Sequence, residues 1–425
     1  MQSLDLKKFP PIELPRFVRI KQKFAREKIE DIPAEVRRKM QPHLADLTGK
    51  RIAVGVGSRG IANIALITKT VVDVLKQAGA SPFIVPVMGS HGGATPEGQA
   101  GMLECFGISA ATMGVPVDAS MEVELLGEVE PGLPIYVSKT ALSADGIVII
   151  PRIKPHTCFR GAIESGICKM LVIGLGKQRG TDIIHAEGFK RFAELIPKIG
   201  CFIAGRTKVL FAVALVENAF EDTFQIEVVP QEEILKLEKE RAMLQMARKL
   251  MGRILLPKFD VLIIDYIGKN ISGDGQDPNV TGLYIAPWLT GGPEFQKSAI
   301  LDMTEESHGN ANGVGMADVT TRKLFDKIDY ISMYTNAFTS TECDAAKIPL
   351  VAATAEDALR IAVKLCNGVA PRQHKIVWIK NTLELTEMLI SEPLLGEAAA
   401  CPDIEFLSGP SELKFIDGEP QKELI

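Results

Sequence analysis

Apolar positions fall along the chain in two rhythms that alternate. Short and nearly unbroken apolar runs at 51–57, 82–88, 145–151 and 208–216 are strand-sized and carry no polar face, as expected of parallel strands covered on both sides. Between the first two, Ile64, Ile67, Val71, Val74 and Leu75 recur at helical spacing within 61–78, so 51–88 reads as one strand, helix and strand of a βαβ unit. A charged amphipathic helix is predicted over 231–253, with Ile234, Leu237, Met243, Met246 and Leu250 inward and Pro257 just beyond its end. A strand at 260–267 then opens a second series, with strands at 299–303, 330–334, 349–353 and 374–380 and helices at 318–326 and 355–366. No internal repeat or low-complexity segment interrupts it.

At 425 residues the chain exceeds what one core organises, since cores stop growing at about 250 to 300 residues. The pattern predicts two α/β domains with mainly parallel sheets and an active-site cleft between them. The boundary is expected at the helix before Pro257. Residues 1–255 would form a cofactor-binding domain, with 396–425 as its possible completion, and 256–395 a second domain closing the cleft.

Composition narrows the function classes. Apolar residues make up 46% and charged residues 24%, and the formal charge is -5 with no stripe of Lys and Arg interleaved with aromatics, which excludes a nucleic-acid partner. No apolar run approaches a membrane span, and the first seventeen residues are broken by Pro10, Pro11 and Pro15, so a cytoplasmic protein without a membrane partner is expected. Seven cysteines without a Cys-x-x-Cys pair argue against a disulfide framework, a zinc ribbon or an iron-sulfur cluster. Cys168 stands out because it adjoins Lys169.

In open α/β sheets, ligands sit outside the carboxyl ends of the strands, which puts Gly57-Ser58-Arg59, Ser90-His91 and Lys154-Pro155-His156 on one rim. Residues 55–60 also match Gly-x-Gly-x-x-Gly, the pattern of a dinucleotide-binding turn. The acid needed for the ribose is missing from 82–88, so what remains is a glycine turn whose N–H groups would face an anion beside Arg59, or a plain structural turn. His91 lies among small residues that let a ligand approach, and His156 follows Pro151, Arg152, Lys154 and Pro155, whose cations favour a neutral imidazole and hence a base. Singly, each is equally a loop histidine. Lys169 sits among small and apolar residues, where a lysine either loses its proton and becomes a nucleophile or snorkels to water. His185 follows sixteen residues later, and alone it is a weak metal signal. In the second domain, the polar loop 268–279 is either a hydrated turn or the completion of a pocket for a carboxylate, a sugar hydroxyl or the reacting group, with Lys269 as its substrate-binding candidate; 307–310 reads the same way.

Taken as an ordered set from about residue 50 to 190, these positions resemble the nickel-dependent lactate racemase family. The resemblance implies a nickel-pincer nucleotide (nickel pyridinium-3,5-bisthiocarboxylic acid mononucleotide) tethered to Lys169, with His185 on the nickel. It implies His91 and His156 as catalytic groups, Arg59 on the substrate carboxylate, and Gly57 and Ser58 beside the nucleotide. A pincer that supplies three donors leaves one position for the protein, so a lone histidine suffices in the square-planar coordination nickel favours. The implied activity is a racemase or epimerase of a 2-hydroxy acid, an isomerase working by hydride transfer through a 2-keto acid and dependent on cofactor maturation enzymes. The sequence departs from the lactate racemase pattern just before the lysine, at Ser165-Gly166-Ile167-Cys168, and in a longer His156 to Lys169 interval, which argues against lactate itself. Three alternatives stay open: a sugar-acid epimerase or dehydratase with the same cofactor, an NAD-dependent dehydrogenase, and a non-catalytic cofactor-binding protein.

Overall fold

The computed structural model describes residues 6–58 and 60–422. The chain divides into two compact units, one of residues 26–251 and one made of residues up to 25 together with those from 252 onward. Its first strand, β1 (Phe17–Gln22), belongs to the second of these.

The unit 26–251 is built on a five-stranded sheet. Its strands are β2 (Arg51–Val56), β3 (Ser81–Pro86), β6 (Gly146–Ile150), β7 (Val209–Glu217) and β8 (Thr223–Pro230), in the order β3-β2-β6-β7-β8. The first four run parallel and β8 returns antiparallel to β7. A separate antiparallel hairpin is formed by β4 (Val123–Glu130) and β5 (Leu133–Ser138). The apolar runs become strands because both of their faces are covered: Ile52, Val54, Val56, Val148 and Ile150 are fully buried with Ile67, Val71 and Leu75 of the helix Ile64–Gln77. The charged segment 231–253 is not one helix. Leu237 takes a left-handed φ of 64° and separates a turn, Gln231–Ile234, from the helix Glu238–Leu250.

The second unit carries an eight-stranded sheet of β1, β9 (Val261–Ile267), β10 (Lys297–Met303), β11 (Val319–Thr321), β12 (Leu350–Ala352), β13 (Ile376–Ile379), β14 (Glu387–Ser391) and β15 (Ile404–Phe406). Their order is β12-β11-β10-β9-β13-β14-β1-β15, parallel from β12 to β13 and antiparallel beyond. Both units are thus α/β with mainly parallel sheets.

The expected boundaries differ from this division at both ends of the chain. β1 pairs with β14 from Phe17↔Ser391 to Lys21↔Glu387, and β15 pairs with β1, so neither residues 6–25 nor 396–422 join the first domain. The physical reason is in β1 itself, where Phe17, Val18 and Ile20 have no exposure and need a sheet to lie in. Gln22 locks the closure, accepting the Leu255 N–H at 2.7 Å and donating to the Arg253 carbonyl at 3.0 Å.

Two further expectations change. Residues 330–334 are the start of a helix, Tyr330–Ser340, because Asp329 caps it by accepting the Ser332 N–H at 3.0 Å while Met333 and Ala337, one turn apart, are buried. The segment 318–326 begins as β11 and only then turns into the short helix Arg322–Phe325.

Candidate functional site

Three loops leave the carboxyl edge of neighbouring parallel strands β2, β3 and β6, and each carries a residue singled out in the sequence. The first two meet directly: Ser58 Oγ hydrogen-bonds His91 Nδ1. The His91 turn is tight, with the His91 N–H on the Met88 carbonyl at 3.2 Å and both Gly92 and Gly93 at left-handed φ. A Cβ on Gly92 would lie 2.6 to 2.7 Å from the backbone of Gly98 and Gln99, so only glycine fits there.

His156, after β6, is oriented from below. The fully buried Glu164 carboxylate accepts the backbone N–H of His156 at 2.7 Å and that of Gly161 at 3.1 Å, and it pairs with Arg248 of the helix Glu238–Leu250 and with Arg160 at 3.9 Å. The Cys158 N–H donates to His156 Nδ1 at 3.0 Å. In the neutral ring that acceptance puts the proton on Nε2. The ring lies 4.5 Å from Phe159 and 6.1 Å from Phe189, centroid to centroid.

Lys169 closes a single helical turn, Ile167–Lys169, that runs on into a π-helical stretch, Met170–Gly174. Such wide turns recur at functional sites. The turn's start is held by Glu240, whose buried carboxylate accepts the Cys168 N–H at 3.2 and 3.3 Å. Burial pushes Glu240 up to about 7, and burial first and Glu240 second push the Cys168 thiol well up, so Cys168 is a neutral filler rather than a reactive partner of Lys169. The π-helical stretch packs backbone to backbone on the approach to His91. The Gly89 N–H reaches the Gly174 carbonyl at 3.3 Å, and a Cβ on Gly174 would lie 2.4 Å from the Val87 side chain. The Met170 side chain ends 3.7 Å from where a Gly57 Cβ would be. The segment bearing Lys169 therefore touches the turns of both Ser58 and His91.

His185 lies in the helix Lys177–Ala186, and its Nδ1 is 2.8 Å from the Thr181 carbonyl. A carbonyl only accepts, so the proton sits on Nδ1 and Nε2 keeps its lone pair. Burial chiefly, and the charge of Lys169 in addition, hold His185 below its ordinary value against the opposing pull of Thr181 and Asp182. It is a neutral imidazole whose Nε2 carries a lone pair, close enough to Lys169 to sense its charge. Its ring is 5.5 Å from Phe189 and 5.3 Å from Phe192, and since Phe189 also contacts His156, one phenylalanine links the two histidines.

The fold thus gathers Ser58, His91 and the Lys169 segment on one side, and His156 with His185 around Phe189. Arg59 lies outside the described residues. Lys269 belongs to the other unit and is engaged in its own loop after β9, with its N–H on Ser307 Oγ at 2.9 Å and its ammonium on the Gly273 carbonyl at 2.6 Å and on Asn336. Among the described residues no group of three or more His, Cys, Asp or Glu is arranged to hold a metal ion. The holding residues Glu164, Arg248, Glu240, Gln99 and Lys177 escaped the sequence reading. The only signal for them was charge or amide at positions whose neighbours are apolar or small.

Two α/β units with this strand order and these rim loops have a lactate racemase-like fold. Among solved structures the chain is similar to the lactate racemase apoprotein from Thermoanaerobacterium thermosaccharolyticum, with a TM-score of 0.53 and 14% identity over 86% of this chain and 94% of that one. No protein-family model and no curated protein matches the sequence. Among the described residues no helix is long and apolar enough to cross a membrane.

Proposed function

We propose that the chain is a racemase or epimerase of a 2-hydroxy acid that uses a nickel-pincer nucleotide, with Lys169 as anchor and His185 on the nickel. The observation that carries this reading is the state of His185: its proton is spent on Thr181, its Nε2 is available to a metal, and the charge of Lys169 is felt beside it. Gly57 leaves its turn without a side chain, where a Cβ would meet nothing nearer than Met170 at 3.7 Å, which suits a flat ligand lying against it. The residues present therefore fit the group.

When bound, the cofactor supplies a carbon that accepts and returns hydride, which avoids the carbanion that proton removal beside a carboxylate would require. The protein's own groups handle the hydroxyl proton. Two bases on separate loops are needed for a reversible inversion, and His91 and His156 meet that need. His91, braced at Nδ1 by Ser58, can take the hydroxyl proton at Nε2 and become imidazolium, while His156 in its resting tautomer gives the same oxygen a hydrogen bond from Nε2–H; either histidine returns a proton to the carbonyl oxygen only from its imidazolium form. Arg59 is the residue to clamp the substrate carboxylate in a bidentate pair, and Lys269 is a further candidate for binding substrate. The setting is cytoplasmic, alongside the enzymes that mature the cofactor.

A nicotinamide dehydrogenase is disfavoured because β3 ends in Ile-Val-Pro without the acid that would hold a ribose. The test is protein made in a host that synthesises the cofactor. It is expected to carry an adduct on Lys169 and nickel, and to interconvert the enantiomers of at least one member of a panel of 2-hydroxy acids followed by chiral chromatography. A Lys169→Ala protein with the same adduct mass would sink the anchor.

A further inference from the structure

Lys177 opens the helix that carries His185, yet it is the least comfortable residue in it. It has no exposure, and its φ is +52°, a left-handed conformation that a side chain with a Cβ rarely adopts. Burial pulls its ammonium down to about 8. A methionine-like residue would fill the same space without a charge to desolvate, so packing alone does not explain it.

Its contacts do. The ammonium donates to the Pro86 carbonyl, at the end of β3, at 2.7 Å and to Gln99 Oε1 at 3.2 Å. An ammonium only donates, so it fixes which end of the buried Gln99 amide faces it. The other end, Nε2, is thereby aimed at the Gly89 carbonyl, 2.9 Å away, and the His91 carbonyl, 3.2 Å away. Thr181, one turn along from Lys177, closes the same contact, since a Cβ on Gly89 would sit 2.7 Å from its hydroxyl.

We propose that Lys177 and Gln99 form a buried clamp that sets the His91 turn against the helix bearing His185, and that both are positioning residues for His91. The clamp ties three elements together: the end of β3, the helix Pro96–Cys105 that carries Gln99, and the helix Lys177–Ala186. Lys177 determines the orientation of Gln99, and Gln99 determines where the backbone of His91 lies, which in turn decides whether its ring reaches Ser58. The catalytic consequence rests on the proposed function; the clamp itself does not.

The experiment uses cofactor-free full-length protein with nitrogen-labelled histidine, read by NMR, together with amide hydrogen exchange. In Lys177→Met and in Gln99→Glu, which keeps a partner for the ammonium but turns an oxygen towards the two carbonyls, exchange across 89–94 is expected to rise about tenfold or more. The His91 ring signals are expected to shift while those of His156 and His185 hold. Lys177→Gly separates strain from clamping: glycine accepts the left-handed backbone, so this variant should be no less stable than Lys177→Met yet lose the His91 signature equally. Unchanged His91 signals and exchange in a folded Lys177→Met protein would overturn the clamp. So would signals that follow overall stability rather than the loss of the ammonium. Should the lysine variants not fold, Gln99→Met carries the same expectation and the same refutation. In the loaded enzyme a loosened His91 should lower kcat with little change in KM. Loss of the His91 signature with full turnover would leave the clamp standing and remove His91 from the proposed reaction.

Discussion

His156 and His185 use their Nδ1 atoms in opposite ways: His156 Nδ1 accepts the Cys158 N–H at 3.0 Å, whereas His185 gives its own Nδ1 proton to the Thr181 carbonyl 2.8 Å away. Two histidines that share Phe189 are therefore held in opposite tautomers. Nitrogen NMR at neutral pH should find Nε2–H on His156 and Nδ1–H on His185. The same tautomer on both would remove the basis for assigning one to hydrogen bonding the substrate oxygen and the other to a metal.

Replacing His91 or His156 by Ala should leave the Lys169 adduct intact and lower turnover by about 100-fold to 10,000-fold, the usual worth of a positioned acid or base. Full activity in either variant excludes that residue from the reaction. Replacing His185 by Ala should lower nickel occupancy by elemental analysis while leaving the nucleotide tethered, because anchoring and metal ligation are assigned to different side chains. Unchanged nickel would count against His185.

Much of the first unit was legible because its strands are covered on both faces and so read as apolar runs. β2, β6 and β7 fall within a residue or two of the runs at 51–57, 145–151 and 208–216. β1 was not legible: its partner, Ser391, is far along the chain, and no local pattern announces so distant a pairing. The run 330–334 is too short to separate strand from helix by periodicity, and the Asp329 cap decided it. The Gly-x-Gly-x-x-Gly match also has a packing explanation. A Cβ on Gly55 would strike Val87 at 2.7 Å and Ile149 at 2.9 Å, so this glycine serves the sheet interior rather than a pyrophosphate. The candidate ligands could be read because their residue types are rare in such company. Glu164, Glu240, Gln99 and Lys177 could not, since each acquires its role only when another element brings it against a backbone N–H or carbonyl.

The Arg248–Glu164 pair supplies a stability test of how the His156 loop is held. Glu164 is fully buried while Arg248 is about two-fifths exposed, so removing the arginine leaves a buried carboxylate with part of its compensation gone. Discounted for that exposure, Arg248→Met should cost about 1 to 3 kcal/mol in urea denaturation. It should also raise amide exchange at 156–161. A loss of stability without faster exchange in this loop would show that the pair supports the fold but does not position His156.

Glu240 offers a pH-dependent counterpart at Lys169. Its carboxyl is raised from 4.5 to about 7, mainly by burial, so the folded protein holds this proton over a range in which the unfolded chain has lost it. Stability from this group is complete below about 4.5 and falls as pH rises to about 7, by roughly 3 kcal/mol over the window. An amide in its place does not titrate, so the stability of Glu240→Gln relative to the native protein should climb between pH 5 and pH 8 and then level off. The same change puts an amide NH2 where one carboxylate oxygen now faces the Cys168 N–H, and it should loosen the turn that presents Lys169 even as the protein gains stability. Denaturation midpoints measured across that pH range, with amide exchange at 167–174, read both effects. A difference that stays flat with pH would mean that Glu240 is ionised in the fold like any surface carboxylate, and the account of Lys169 as a residue held by a buried acid would fall with it.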